Sequence, residues 1–402
     1  MTSSTRRLPS LAKAPWLNEP RLQAVLAILN RGGETRVAGG AVRNALLGKP
    51  VQDIDLATTL TPTDVMQLAR GAGFGVHATG IEHGTVTVVN RAAAFEVTTL
   101  RRDVETDGRH ATVAFTTSFS EDASRRDFTI NALYCDRDGK IYDFTDGYVD
   151  ILKRKVRFVG KPDARIEEDY LRILRFFRFQ AAYGKDEPDR LGLAACKRHR
   201  AGLGKISAER IRQELLKLLV APRAMETLKV MAKAGILKLI LPATEQWRVI
   251  KRLPADGVLR LFVLSREPKT LKELLRLSNA EADRIEALMK APHVYANIKE
   301  KTQRALYYKL GAQHWVDAVH LGFAKSRATA SDRRWKKLLT LPERWPRPAF
   351  PLTGKDLLNQ GFAEGQELGT TLQKAEKRWI ESDFVLTSHD LLAFTESQKH
   401  GT

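Results

Sequence analysis

Strand-like stretches occupy only the first part of this chain, and from about residue 156 onward the pattern is helical. "TRVAGG", "GTVTVV", "AFEVTTL" and "ALYCDRDGKIYDF" read as strands, the last as a hairpin turning through Asp136 to Lys140. After them, "ARIEEDYLRILRFFRFQAA", "SAERIRQELLKLLV", "AMETLKVMAKAGILKLI", "TLKELLRLSNAEADRIEALMK" and "KTQRALYYKLGAQHWVDAVHLGF" carry apolar residues at amphipathic-helix spacing. A chain patterned this way predicts an α+β protein, with a mixed α/β unit followed by an all-helical remainder. The prolines of "LPERWPRPAFPLTG" mark a linker near 341–354. The expected divisions are a flexible terminus at 1–20, the α/β unit at 21–155, and helical segments at 156–220, 221–340 and 341–402.

Charge narrows the partner. Lys and Arg outnumber Asp and Glu by 66 to 47, a net charge of +19. Basic runs recur along the chain at Lys153 to Arg157, Lys197 to Arg200 and Arg333 to Lys337, which suits an extended nucleic acid better than a small anion. No apolar run approaches the roughly 18 to 20 residues of a membrane span, so no membrane association is expected. Cys135 and Cys196 have no zinc-ligand spacing and no disulfide-rich context, which points to a reducing compartment, the cytoplasm. The first eighteen residues are basic but lack the apolar core of a secretory signal. They read as a frayed terminus in preference to an organelle-targeting segment.

The stretch "VAGGAVRNALLGKPVQDIDLAT" carries chemistry. It reads as a strand, a turn at Gly39 and Gly40, a two-turn helix stopped at Gly48, and a second strand. The glycines let a phosphate approach the backbone, the helix start offers it N–H groups, and Arg43 adds a bidentate contact. Asp53 and Asp55 alternate on a strand, so both leave the same face about 6 to 7 Å apart. That suits shared ligation of two Mg²⁺ ions about 3.5 to 4 Å apart, one activating a hydroxyl and one holding a triphosphate. Spacing alone decides little, because Asp136 and Asp138 repeat it in a turn where both carboxylates should be solvated. The ordered combination of strand, glycines, arginine-bearing helix and Asp-x-Asp is what carries the reading.

"SRRDFTINAL" supplies Arg125, Arg126, Asp127 and Asn131. Arginines neutralise a triphosphate and an aspartate accepts from a ribose 2′-OH; the ordinary reading is a capped, salt-bridged helix. In the helix "EEDYLRILRFFRF", Asp169 stands three residues before Arg172, with Arg175 and Arg178 continuing the spacing. An intrahelical Asp–Arg pair there is worth only ~0.2 to 0.5 kcal/mol. The sharper reading is base recognition. Cytosine and adenine each present an amino donor beside a ring-nitrogen acceptor, which an Asp acceptor beside an Arg donor matches; guanine and uracil present the inverse. CTP and ATP would be admitted without a template.

Glu96 in "FEVTTLR" is either a third metal carboxylate or a solvated strand residue. "RRDVETDGRHA" at 101–111 is a flexible loop near the site or an inert surface loop. His389 and Asp390 read as a solvated helix start in preference to a phosphohydrolase pair, and Trp335 in "DRRWKK" as half-core in preference to a base-stacking platform.

"GGAVRNALLGKPVQDIDLAT" resembles the nucleotidyltransferase signature of the DNA polymerase β superfamily, in the form shared by bacterial tRNA nucleotidyltransferases and poly(A) polymerases. The resemblance continues through "GIEHGTVTVV", "FEVTTLRRDVETDGRHATVAF", "SRRDFTINALYCD", "DFTDGYVDI", "EEDYLRILRFFRF" and "ISAERIRQEL", covering roughly residues 35 to 220. "LTGKDLL", "LGTTL" and "RWI" resemble the family's tail. It implies a polymerase β-like head followed by helical neck, body and tail. Asp53 and Asp55 would hold Mg²⁺, Gly39, Gly40 and Arg43 would cradle the triphosphate, and Arg125, Arg126, Asp127 and Asn131 would match the ribose and phosphate motif. The base-reading motif Glu-Asp-x-x-Arg falls on Glu168, Asp169 and Arg172, with Arg175 following. The implied activity is template-independent addition of CCA to the 3′ end of tRNA from CTP and ATP, with no protein partner. The alternatives are a poly(A) polymerase, a CC-only or A-only enzyme, and, from another class, a non-catalytic RNA-binding protein on the same scaffold. "TGIEHGTVTVV" and the tail favour the CCA-adding branch, and intact Asp53 and Asp55 weigh against the non-catalytic reading. One departure stands out: the family usually has Asp where this chain has Asn44.

Overall fold

The computed structural model describes residues 8–103 and 113–399. Residues 1–7 of the expected frayed terminus and residues 104–112, most of the expected loop at 101–111, lie outside the described residues. The chain divides into two compact units, Met1–Leu241 and Pro242–Thr402.

The first unit opens with α1 (Pro20–Leu29), β1 (Thr35–Ala38), α2 (Gly40–Leu46), β2 (Asp55–Thr58), α3 (Pro62–Gly71), β3 (Gly75–Gly80), β4 (Thr85–Asn90) and β5 (Ala93–Thr99). There follow β6 (Arg101–Asp103), β7 (Val113–Phe115), α4 (Phe119–Ser124), β8 (Leu133–Cys135), β9 (Ile141–Asp143) and α5 (Gly147–Lys153). Seven strands form one mixed sheet in the order β3-β4-β5-β2-β1-β8-β9, while β6 and β7 pair separately. Only β2 and β5 run parallel in the large sheet. Alternation explains its faces: Val86, Val88, Phe95 and Val97 are buried, and Glu96 between the last two is exposed. Register places Asp55 beside Glu96, and Glu96 beside Thr87, in one row across three strands.

The expected hairpin joins β8 and β9. Its Asp136 is not simply solvated, as expected, but ties the turn. Its carboxylate accepts from the backbone N–H groups of Asp138 (3.0 Å) and Lys140 (2.9 Å) and from the Tyr142 hydroxyl (3.1 Å), whereas Asp138 stays exposed.

Helices complete the unit: α6 (Pro162–Glu168), α7 (Leu171–Tyr183), α8 (Arg190–Arg198), α9 (Ala208–Leu219) and α10 (Ala224–Lys233). The single helix expected across "EEDYLRILRFFRF" is two. Asp169 is extended (φ −156°, ψ 104°) and its carboxylate accepts from the Leu171 N–H at 3.1 Å, starting α7 afresh. Tyr170 packs on Gly202, where a Cβ would stand 2.0 Å from the ring. From there Leu171, Ile173, Leu174, Phe176, Phe177 and Phe179 bury one flank of α7.

The second unit is helical. The helix expected across "KTQRALYYKLGAQHWVDAVHLGF" spans Glu300–Lys325 and is bent where Gly311 takes φ +74°. Trp315 is fully buried and donates to the Leu338 carbonyl at 2.9 Å. Trp335 packs into the same core, settling it as a structural residue. Asp390 caps the helix Ser388–Lys399, accepting from the Thr387 N–H (2.8 Å) and hydroxyl (2.7 Å), so the His389 and Asp390 pair is a helix start. Among the described residues no helix is long and apolar enough to cross a membrane.

Candidate active site

A cleft of about 640 Å³ opens in the first unit, within the usual range for small-molecule sites. It brings together Gly39, Gly40, Arg43, Asp55, Glu96, Arg125, Arg126, Asp127, Asn131, Asp169, Arg172 and Arg175. These come from stretches spread over more than a hundred residues. Asp53 is the exception. It lines a neighbouring cleft of about 750 Å³, and Asp55 and Glu96 border both.

Asp53 does not sit on the strand expected to carry it. β2 begins at Asp55, because β1 runs out of partners at Ala38, where Gly39 turns away with φ +62° and ψ −105°. Burial pushes the Asp55 carboxyl above the usual carboxylate range, and Glu96 and Asp53 add to the rise against the opposing pull of Arg126. Among the described residues no group of three or more His, Cys, Asp or Glu side chains stands at metal-holding spacing, and Glu96 is the register neighbour of Asp55 alone.

Gly39 must be glycine: its φ is positive, and a Cβ would meet Arg126 Nη1 and the Asn131 carbonyl at 3.1 Å each. Above Gly40 a Cβ would meet only Arg43 Nη2, at 3.8 Å, so the space there belongs to the cleft. Arg43 itself is buried and lies over the Tyr183 ring at 4.1 Å. Its guanidinium donates to Asn131, to the Tyr183 hydroxyl (2.8 Å) and to Asn44 (2.9 Å). Asn44, unexplained by sequence, is thus a holder of Arg43.

Asp122, which sequence reasoning passed over, organises the arginines. At 2% exposure it pairs with Arg125 (2.9 Å) and Arg126 (3.0 Å) and accepts from the Tyr134 hydroxyl at 2.7 Å. Burial alone would raise its carboxyl, but Arg126, Arg125 and Tyr134 outweigh it and hold it below the usual range. The signal was present in "EDASRRD": Asp122 lies three and four residues before the arginines on and just past α4.

Asp127, 9% exposed, accepts from Arg175 through Nη2 (2.6 Å) and Nε (2.8 Å), from Asn131 (3.0 Å) and from the Phe128 N–H (2.8 Å). Burial opposes its ionisation, and Arg175 and Asn131 overcome that, keeping it a carboxylate. The aspartate expected to accept from a ribose hydroxyl also anchors Arg175.

Asp169 and Arg172 share the cleft but their side chains do not pair, because the interruption between α6 and α7 removes the expected intrahelical geometry. Asp169 pairs with Arg210 at 2.7 Å. Arg172 pairs with Glu168 at 2.6 Å and donates to the carbonyls of Arg165 (2.9 Å) and Arg125 (3.3 Å). Arg210, also cleft-lining, was not singled out from the sequence. Behind this row Glu214 holds Arg178 at 2.5 Å. The arrangement offers an acidic edge, an arginine wall and, at the start of α7, an acceptor beside a donor.

Known proteins share this layout. Residues 35–157 match the family model described as "Poly A polymerase head domain", and residues 192–248 that described as "Probable RNA and SrmB- binding site of polymerase A". The chain is 38% identical over 386 residues to the mitochondrial CCA tRNA nucleotidyltransferase 1 of Danio rerio, covering 90% of this chain and 86% of the relative. It is 29% identical over 391 residues to the CCA-adding enzyme of Latilactobacillus sakei, covering 93% and 97%. The solved structure of the Bacillus stearothermophilus CCA-adding enzyme in complex with CTP superposes with a TM-score of 0.79 at 26% identity, covering 95% of this chain and 98% of that one.

Proposed function

The chain belongs to the CCA-adding tRNA nucleotidyltransferase family, and on that premise we propose how its residues add C, C and A to the 3′ end of tRNA. The 3′-oxygen of tRNA attacks the α-phosphorus of CTP or ATP. The bond to the bridging oxygen of the β-phosphate breaks, and pyrophosphate leaves. The base is chosen by the protein, with no template.

Arg125 and Arg126, fixed by Asp122, neutralise the triphosphate, and Gly40 leaves room for it. Arg43 and Asn131 complete that wall from below. Asp127 sets Arg175. Asp169 accepts from the amino group of cytosine or adenine while Arg172 donates to the ring nitrogen. Arg210 and Glu168 hold the two in place, so guanine and uracil meet acceptor against acceptor and donor against donor.

The reaction of this family needs a divalent metal ion, for which we assign Mg²⁺. Its fit rests on the donor set: the Asp53 and Asp55 carboxylates are hard oxygen ligands, and Asp55 lines the same cleft as the arginines that would meet the triphosphate. Those two residues would hold it, with Glu96 beside Asp55 in register. When bound it would stabilise charge on the phosphate and acidify the attacking hydroxyl. We assign the head to 21–155, the neck to 156–220, the body to 221–340 and the tail to 341–402, the basic helical segments carrying the tRNA. We assign a reducing compartment such as the cytoplasm from the sparse cysteine usage, two residues without zinc-ligand spacing or disulfide-rich context.

The observation that carries this reading is the convergence of Asp169, Arg172 and Asp55 on one cleft. It is tested by incubating the protein with tRNA lacking its 3′ end, Mg²⁺ and each NTP singly and together, then sequencing the products. CCA ends are expected with CTP and ATP together and no incorporation of G or U. Long A tails would instead identify a poly(A) polymerase, and ends stopping at CC an incomplete enzyme.

A further inference from the structure

Two clefts meet at the acidic edge of the large sheet, and their walls differ in charge. Arg43, Arg125, Arg126, Arg172, Arg175 and Arg210 line the first. The second, of about 750 Å³, is lined by Glu19, Asp53, Asp55 and Glu96. Among the described residues its one basic member is Arg21, which Glu19 holds at 2.6 Å. Asp55 and Glu96 border both clefts, so these carboxylates form the partition. In a phosphoryl displacement the attacking and leaving oxygens lie roughly in line, on opposite sides of the phosphorus. Pyrophosphate belongs with the arginines of the first cleft, so the attacking 3′-oxygen arrives from the second. A wall of carboxylates also suits a nucleoside with a free hydroxyl better than it suits a phosphate.

Trp16 lines this second cleft on a segment pinned to the head. The Leu11 N–H donates to the Gly139 carbonyl at 2.8 Å, Leu17 is fully buried, and Gln23 Nε2 donates to the carbonyls of Leu17 and Arg137 at 2.9 Å each. The indole Nε1 is sealed from solvent and meets no hydrogen-bond partner among the described residues, so the ring offers the cleft carbon alone. Phe95, the other aromatic there, is 4% exposed and belongs to the core of the sheet. A carbon surface matches what the acceptor end demands. Its last nucleotide changes with every addition, and stacking tolerates each base because every base has a π-face, whereas a hydrogen bond fitted to one base edge would reject the next.

We propose that the second cleft receives the 3′-terminal nucleoside of the tRNA and that Trp16 is the platform on which its base stacks, setting the 3′-oxygen at the partition between the clefts. The proposal rests on the nucleotide-transfer reading above.

The test compares wild type, Trp16→Phe and Trp16→Leu on two acceptors, tRNA lacking its 3′ end and the same tRNA with its last nucleotide abasic. Wild type is expected to show a KM for the abasic acceptor higher on the order of tenfold, the scale of one base–aromatic stack. Trp16→Leu should raise KM for the ordinary acceptor by a similar factor and erase the difference between the two, Trp16→Phe should keep most of it, and KM for CTP should stay constant throughout. In parallel, wild type is irradiated with tRNA carrying 4-thiouridine as its last nucleotide, and the crosslinked peptide should contain Trp16. That arm needs no variant to fold and no turnover. The proposal is overturned if Trp16→Leu preserves the preference for a base, if it raises KM for CTP as much as KM for tRNA, or if the crosslink is absent or falls on the arginine-lined cleft. Any of these with wild-type incorporation intact leaves the nucleotide-transfer reading standing. No incorporation by wild type removes that reading, and the proposal with it.

Discussion

Asp122 neutralises two arginines from a site sealed against water, and its removal would leave both without their partner. Asp122→Asn should cost about 3–5 kcal/mol of folding stability, measurable by urea denaturation. Because its folded pKa is depressed, the stability it contributes is present above the ordinary carboxylate pKa and is lost as pH falls through the lowered one. The gap between wild type and Asp122→Asn should therefore be full at pH 7 and narrow progressively in acid; a gap independent of pH would contradict the assignment. Gly39, Arg43 and Asp55 on one short stretch, and Arg125 and Arg126 on another, were legible as candidate site residues from local order, and all five line the cleft. Asn44 was not, since no pattern in the stretch shows that its amide oxygen accepts from Arg43 while its amide nitrogen donates to the Pro50 carbonyl. Asp127 was legible as a site residue but not as the partner of Arg175, which only packing of α7 on the head creates.

At the scale of elements, the break between α6 and α7 matters most. The apolar periodicity of "EEDYLRILRFFRF" runs on without a proline or glycine, so nothing local announces a stop. The stop is set from a distance, by Tyr170 seating on Gly202 and by Arg210 drawing Asp169 out of line. Gly202→Ala should displace the Tyr170 ring and destabilise the protein by about 1–3 kcal/mol, read from chemical denaturation. Arg210→Ala should leave the fold in place but free Asp169, reducing the preference for CTP over UTP by about tenfold or more, the scale of one charge-assisted hydrogen bond. Competition between labelled CTP and UTP measures this, and an unchanged ratio would separate Arg210 from base choice.

For the whole molecule, the switch from strands to helices near residue 156 announced the α+β architecture, and the seven-stranded sheet lies entirely before it. The boundary between compact units at Leu241 was not visible, because helical patterning continues across it unchanged. A charge of +19 carries a whole-molecule expectation: the logarithm of tRNA affinity should fall linearly with the logarithm of salt concentration, as counterions return to the phosphates. The central claim is that transfer chemistry at Asp55, on the border of the cleft, with Asp53 in the cleft beside it, is joined to a protein reader of C and A. It is tested most directly by single-turnover incorporation with Asp53→Ala and Asp55→Ala on tRNA lacking its 3′ end, alongside tRNA binding at fixed salt. The predicted result is loss of incorporation by at least a thousandfold, about 4 kcal/mol of barrier, with tRNA binding retained. Turnover surviving in either variant would contradict it.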